Sequence, residues 1–311
     1  MSKKILIVGS ANMDLSMNMY KVPAAGETLV DDGGVAYVPG GKGANSAVAF
    51  ARLGAESVFC AKLGADLHGQ KLYQYYKELG VNTSYVKVDR ENPTGLAVVM
   101  KESDGSNRIV VYPGANANLT TDNVAEAFEC KPDALYIGFE VPFAIAVAAA
   151  KMASARGIPI FVDAAPADKE YPLENLPPVE IFSPNETETL EYTGILPQGA
   201  DSSLRAALNL FKRVKCRYLV IKQGSRGAFI YDGRHYSFVP AMKAGEVVDT
   251  TAAGDAFTAA MTLKYLENSS EITTAVKYGT AAGALTVTRR GASQAIPTAD
   301  EVEALLLSGG R

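Results

Sequence analysis

The sequence predicts an α/β fold: a three-layer αβα arrangement around a doubly wound, mostly parallel sheet, with a small antiparallel β lid. Three observations predict it. From residue 134 onward, short apolar runs alternate with helix-period segments, which is the rhythm of βαβ units. A first apolar strand over 5–8 ends at once in the polar stretch Gly9-Ser10-Ala11-Asn12-Met13-Asp14, at the strand end where open α/β sheets place ligands. Residues 15–38 are strand-like but broken by Pro23, Gly26, Gly33 and Gly34, and a hairpin pattern returns over 94–112.

Composition sets the class. The 311 residues are 48% hydrophobic and 21% charged, enough for one α/β domain over 1–311 with an inserted lid formed by about 15–38 and 94–113. A formal charge of -4 and a pI near 5.4 give no basic field, so neither nucleic acid nor membrane is an expected partner, and small molecules are. Cys60, Cys130 and Cys216 are odd in number, far apart and without metal-ligand spacing, which predicts reduced thiols in a cytoplasmic setting. The apolar run after the MSKK start is too brief for a signal-peptide core or a membrane span.

Taken in order, residues 5–8 form a buried strand, and Asn12 and Asp14 beyond it read either as ligand contacts or as ordinary turn residues. The loop Pro39-Gly40-Gly41-Lys42-Gly43-Ala44-Asn45 leads into an apolar helix over 46–53, stopped by Gly54. It is not a Walker A loop, because Gly43 rather than Ser or Thr follows Lys42. Its glycines require close backbone approach, with Lys42 and Asn45 as donors at a helix start. A tight turn closing helix onto strand explains the glycines equally well, but not the lysine.

Residues 58–63 and 85–88 read as strands and 68–79 as a helix between them. Residues 94–101 and 107–112 alternate around Asp104-Gly105, a β-hairpin signal. Joined to the early strand-like region, this hairpin makes the lid, whose apolar face must cover a ligand, pair with a second subunit, or both. After a helix over 121–128 come strands at 134–138, 158–163, 181–183 and 218–222, with helices at 143–156, 186–192 and 203–213. Glu140 follows one strand end and Asn185-Glu186-Thr187-Glu188 another; each reads as a site acid or as a helix cap. A second hairpin over 228–231 and 236–239 turns at Asp232-Gly233, His68 and His235 read as surface residues, and helices follow over 271–290 and 298–307.

The segment 247–257, VVDTTAAGDAF, is the most informative. It reads as strand, small-residue turn and buried helix. A helix start presents unpaired N-H groups and partial positive charge, so it holds an anion where side chains are small enough to admit one. Ala252, Ala253 and Gly254 meet that condition, and Asp255 follows them either as a reactive acid or as a first-turn cap.

These motifs together, GGKGAN at 40–45, the acidic strand end at 12–14, NETE at 185–188 and DTTAAGDAF at 249–257, resemble in order and spacing the ribokinases of the phosphofructokinase B family of carbohydrate kinases. The resemblance covers essentially the whole chain and implies a ribokinase-like fold. It implies ATP-dependent phosphorylation of D-ribose at the 5-hydroxyl, with Asp255 as the general base and the N-H groups of Ala252, Ala253 and Gly254 as the anion hole. It also implies a sugar-binding set of Asn12, Asp14, Gly41, Lys42, Gly43, Asn45 and Glu140. Asn185 and Glu188 resemble the pair that organises Mg2+ and phosphate, and Lys222, Gly224, Ser225 and Gly227 the nucleotide loop. Asp249 and Thr251, with backbone near Thr286, Arg289 and Gly291, resemble a monovalent-cation site, so K+ stimulation is expected. A homodimer through the β lid is expected as well.

The chain departs from that pattern in places. Lys222 stands where threonine is common and Ala295 where serine is common. Met13 and Tyr37-Val38-Pro39 are expected to border the sugar, and Ile109 to pack over its apolar face. Two other readings stand beside the first: a related kinase of 2-deoxyribose, fructose or a nucleoside, and a non-catalytic sugar-binding protein on the same scaffold.

Overall fold

Uninterrupted apolar runs make the centre of the main sheet. In the computed structural model, which describes residues 2–103 and 106–309, the chain begins with β1 (Lys4–Val8), β2 (Asn12–Met19), β3 (Val35–Gly40), α1 (Lys42–Arg52), β4 (Glu56–Gly64), α2 (Leu67–Glu78) and β5 (Asn82–Asp89). It continues through β6 (Gly95–Glu102), β7 (Asn107–Tyr112), α3 (Thr121–Ala127), β8 (Ala134–Ile137), α4 (Phe143–Ser154), β9 (Ile160–Asp163), β10 (Val179–Ser183) and α5 (Glu186–Thr193). It ends with α6 (Ala200–Arg213), β11 (Cys216–Lys222), β12 (Gly227–Tyr231), β13 (Tyr236–Pro240), α7 (Ala253–Glu267), α8 (Ile272–Thr286) and α9 (Ala299–Leu307).

Among the described residues, the main sheet runs β13-β12-β11-β10-β9-β8-β1-β4-β5, parallel from β11 to β5 and antiparallel at β12 and β13. Strands buried on both faces need apolar residues at every position rather than at alternate ones. β1 obeys this: Ile5 and Ile7 enter the core layer under α1, α7 and α8, while Leu6 and Val8 enter the opposite layer with α3, α4 and α6. The chain leaves β1 toward β4 on one side and returns at β8 on the other. The strand order therefore reverses beside β1, and the carboxyl ends there form a crevice.

α7 is apolar nearly all round, as a helix enclosed by its neighbours must be. Its Ala256, Ala259 and Ala260 are fully buried, and α8 packs against it closely enough that a Cβ on Gly279 would meet Phe257 O at 2.8 Å. The second sheet runs β3-β2-β6-β7, with antiparallel outer pairs and a parallel β2–β6 pair at its centre.

Several expectations need correction. The first lid strand starts at Asn12 rather than near 15, so Asn12 and Asp14 belong to it while residues 9–11 form the turn out of β1. α1 starts at Lys42 rather than near 46, which puts Lys42, Gly43 and Asn45 in its first turn. Val247 and Val248 form no strand: both are exposed, and Val248 N–H donates to Val287 O at 2.7 Å, closing the end of α8. α8 stops at Thr286, short of 290. There the Thr286 and Thr288 hydroxyls donate to the carbonyls of Ala282 and Leu285, and three successive β-branched residues favour leaving the helix. His68 is half-buried against Tyr37, with ring centroids 5.1 Å apart. The hairpin tip expected at Asp104-Gly105 lies outside the described residues.

Candidate active site

The crevice beside β1 gathers acids from four strand or helix ends. Ser10, just past β1, donates its hydroxyl to Glu140 Oε2, just past β8, and the same oxygen accepts Lys42 N–H at 2.9 Å. Glu140 thus joins the two sides of the switch point and takes one of the unpaired N–H groups of α1. Asn45, one turn along, donates its Nδ2 to Asp255 Oδ2 at 2.9 Å, and Lys42 Nζ lies 4.0 Å from Asp255 Oδ1. Asn12 Oδ1 accepts from Asn116 Nδ2 at 2.8 Å, and Asn116 Oδ1 accepts Ala11 N–H. Asn12 is therefore held in place by a residue that the sequence reading passed over.

The glycines of the 40–45 loop serve packing first. A Cβ on Gly43 would meet Gly9 C and Ser10 N at 2.5 Å, and Gly41 has φ 89 with its Cβ position 2.9 Å from Asn12 N. Their close approach is to the chain's own 9–12 segment, as the tight-turn reading had it. Lys42 is left over from that reading: its side chain is 38% exposed and its ammonium lies on the crevice beside Asp255. Burial opposes its charge, but Asp255, Asp163, Glu140 and Glu188 outweigh this and hold its pKa above the usual lysine value.

Asp255 is almost fully buried. It does not cap α7, whose cap position is Ala252 at φ 62 with no side-chain hydrogen bond. A non-glycine residue in that left-handed region costs about 1–3 kcal/mol, a strain found at sites where a turn must take one shape. Ala253 N–H donates to Thr250 O at 3.3 Å, while the N–H groups of Ala252 and Gly254 have no acceptor among the described residues. Burial raises the Asp255 carboxyl to about 6; Lys42 and Asn45 oppose that rise, and Asp163 and Glu140 add to it. Asp14 is raised to about 7, by burial first and then by the charge of Glu140. Its Oδ1 and Asn45 Oδ1 are buried and receive no hydrogen bond from any described residue.

Behind the small-residue turn lies a network that sequence reasoning missed. Lys222 Nζ donates to Asp163 Oδ1 at 2.9 Å and to Thr258 Oγ1 at 3.2 Å, and Tyr136 donates its hydroxyl to Asp163 Oδ2 at 3.2 Å. A Cβ on Gly254 would lie 3.8 Å from the Lys222 ammonium, so that cation sits next to the turn. One signal for Asp163 was available: it ends a buried strand, as Glu140 stands just beyond one.

Asn185 and Glu188 form a reciprocal capping box at α5. Glu188 N–H donates to Asn185 Oδ1 at 2.8 Å, while Asn185 N–H and Nδ2 donate to the two Glu188 oxygens at 2.7 and 2.8 Å. The cap reading is thus realised, and the buried Glu188 still faces the crevice charges: burial and Asp163 raise its pKa, and Lys222 and Lys42 oppose them. The 222–227 loop joins this end by an isolated bridge between Asn185 and Lys222, and Arg226 pairs with Glu186. Gly224 and Ser225 are exposed on that loop, and Gly227 (φ 114) packs where a Cβ would meet Val239 O at 2.0 Å.

Asp249 Oδ1 accepts from Thr251 N–H at 3.0 Å and Thr251 Oγ1 at 2.6 Å, and Gly291 N–H approaches Oδ2 at 3.5 Å. Two other members of the expected cation set turn their side chains elsewhere. The Thr286 hydroxyl bonds within its helix and Arg289 forks onto Glu301, so neither side chain joins Asp249, whose N–H donates to Val287 O at 3.2 Å. Met13, Tyr37 and Pro39 share the lid face opposite to Asp14 and line a separate cavity of about 420 Å³ with Leu67, His68, Lys71 and Tyr75. Val38, opposite Asp14, lies on the Asp14 face instead. Ile109 pairs with Val99 on the Asp14 face.

A buried acid beside a left-handed small-residue turn with free N–H groups, at the switch point of a doubly wound sheet, defines an enzyme that moves an anionic group onto a polar acceptor. The chain matches the pfkB family carbohydrate kinase model over residues 2–299. It belongs to the pfkB family of carbohydrate kinases. It is 34% identical to the ribokinase of Bacillus subtilis over 98% of this chain and 99% of that protein. It is 35% identical to the bifunctional ribokinase/ribose-5-phosphate isomerase A of Fructilactobacillus sanfranciscensis over 96% of this chain, and there it spans 55% of the longer protein. Its fold is similar to that of Arabidopsis thaliana ribokinase complexed with ribose and ATP, with a TM-score of 0.86 at 30% identity over 98% of this chain and 99% of that one.

Proposed function

We propose that this chain transfers the γ-phosphoryl group of ATP to the 5-hydroxyl of D-ribose. The observation that carries this reading is the pair of buried, unbonded acceptors, Asp14 Oδ1 and Asn45 Oδ1, in one crevice with Asp255. A pentose is a ring of hydroxyl donors, and a buried acceptor left without a donor costs about 1–3 kcal/mol, so this crevice favours a ligand rich in O–H groups. Asn12, Asp14, Lys42, Asn45 and Glu140 hold the sugar, with Gly41 and Gly43 letting the loop close on it.

Asp255 takes the proton of the 5-hydroxyl as its oxygen bonds to the γ-phosphorus and the bond to the ADP oxygen breaks. The N–H groups of Ala252, Ala253 and Gly254 carry the charge on the transferring oxygens, and positioning of this kind supplies most of phosphoryl-transfer catalysis. The 222–227 loop, with Lys222, Gly224, Ser225 and Gly227, borders the nucleotide. Asn185 and Glu188 suit Mg2+ through water, because each Glu188 oxygen already accepts one hydrogen bond and keeps a lone pair. Bound Mg2+ would neutralise charge on the phosphates. Asp249 and Thr251, with the backbone at Thr286, Arg289 and Gly291, offer oxygens suited to K+ beside the anion hole.

We also infer a homodimer through the lid, where Val110 and Tyr37 are 62% and 58% exposed on one face. A cytoplasmic setting fits the three free cysteines, and no helix among the described residues is long and apolar enough to cross a membrane. ADP release measured with D-ribose, 2-deoxyribose, fructose, a nucleoside and no acceptor tests the reading. Highest kcat/KM with D-ribose is expected. Preference for another acceptor contradicts the ribose assignment, and no ADP with any acceptor supports a sugar-binding protein instead.

A further inference from the structure

Lys101 lies near the end of β6, on the lid face shared with Asp14 and Ile109. Its ammonium reaches out of the lid to Asp249 Oδ2 at 3.4 Å. The two side chains are 37% and 17% exposed, so water screens the pair only in part. The other Asp249 oxygen holds the Thr251 N–H and hydroxyl, two residues before α7 begins at Ala253. Burial pushes the Asp249 carboxyl up, but Thr251, Lys101 and Gly291 outweigh it and keep the acid below its ordinary range.

We propose that Lys101 is a positioning residue whose tethered ammonium competes with a free monovalent cation for Asp249, tying the lid to the turn that leads to Asp255. This rests on the proposed cation site. The geometry gives Asp249 a choice of two positive partners, one fixed to the lid and one from solution. When K+ is scarce, Lys101 keeps the acid paired and the turn in shape; when the lid moves away, K+ takes over. Substituting Lys101 therefore makes the protein more dependent on added K+.

The test compares wild type, Lys101→Met, which keeps the apolar stem, and Lys101→Arg, which keeps the charge. Thermal unfolding is followed in KCl and in choline chloride, without sugar or nucleotide, and steady-state kinetics are then run against K+ with sugar and ATP. Lys101→Met is expected to melt lower in choline chloride, to be restored by KCl, and to show a K+ stimulation of kcat about two- to fivefold larger than wild type, the reach of one partly exposed ion pair. Lys101→Arg is expected to follow wild type. The same K+ response in wild type and Lys101→Met, or a loss of stability that K+ does not restore, overturns the proposal. The melting arm uses no substrate, so it stands or falls separately from the assignment of ribose.

Discussion

Asp14 and Asp255 are both carboxylates that the fold makes reluctant to ionise, and the reluctance has opposite value for stability and function. For Asp14, with a native pKa of about 7 against an ordinary 3.8, the unfolded chain releases its proton first as pH rises. Its contribution to stability is therefore fully present below pH 4 and is lost as pH climbs through about 7. Asp14→Asn removes that loss, and we expect its melting temperature to exceed wild type at pH 8 but not at pH 4, with weaker sugar binding at both. A variant less stable than wild type at pH 8 would argue against the buried acid. Asp255 at about 6 predicts an acid limb in kcat/KM centred near pH 6, because the protonated acid cannot accept the hydroxyl proton. Candidate site residues were legible where they stood in a motif. Asp163, Asn116 and Ser10 were not, because each acquires its role only from a partner 27–130 residues away in the chain.

At the scale of elements, the small-residue run at 252–254 was legible as a turn before a buried helix, but its left-handed Ala252 was not. Nothing in an alanine side chain favours φ 62, a conformation that glycine adopts without strain. The missing strand at Val247 has a cause outside the segment. β-branched residues favour extended backbone, yet the Val248 N–H is taken by Val287 O at the end of α8, so the segment pairs with a helix end and not with a sheet. The lid was legible as alternating strands, and its parallel β2–β6 pair was not, since pairing direction follows from where the chain re-enters. Both lid faces carry exposed apolar residues, with Ile109 and Val111 on the crevice side and Val110 and Tyr112 on the other. Val110→Asp is expected to convert dimers to monomers in sedimentation while leaving the main core intact. An unchanged sedimentation coefficient would contradict a dimer formed through the lid.

For the whole molecule, the reversal of strand order beside β1 decides where chemistry occurs. It brings Ser10, Glu140, Lys42 and Asn45 to the same crevice as α7, although these residues span most of the chain. The α/β alternation was legible because buried parallel strands are apolar at every position, whereas the order of strands is a long-range property that no window of residues contains. The proposed mechanism turns on one buried acid, Asp255, and Asp255→Asn tests its role most directly. Ribose affinity by calorimetry and ATP turnover are measured on the same folded variant. Affinity within about fivefold of wild type and a kcat lower by about 10²- to 10⁴-fold, the usual contribution of one general base, are expected. Near-wild-type kcat in a folded Asp255→Asn protein would contradict that role.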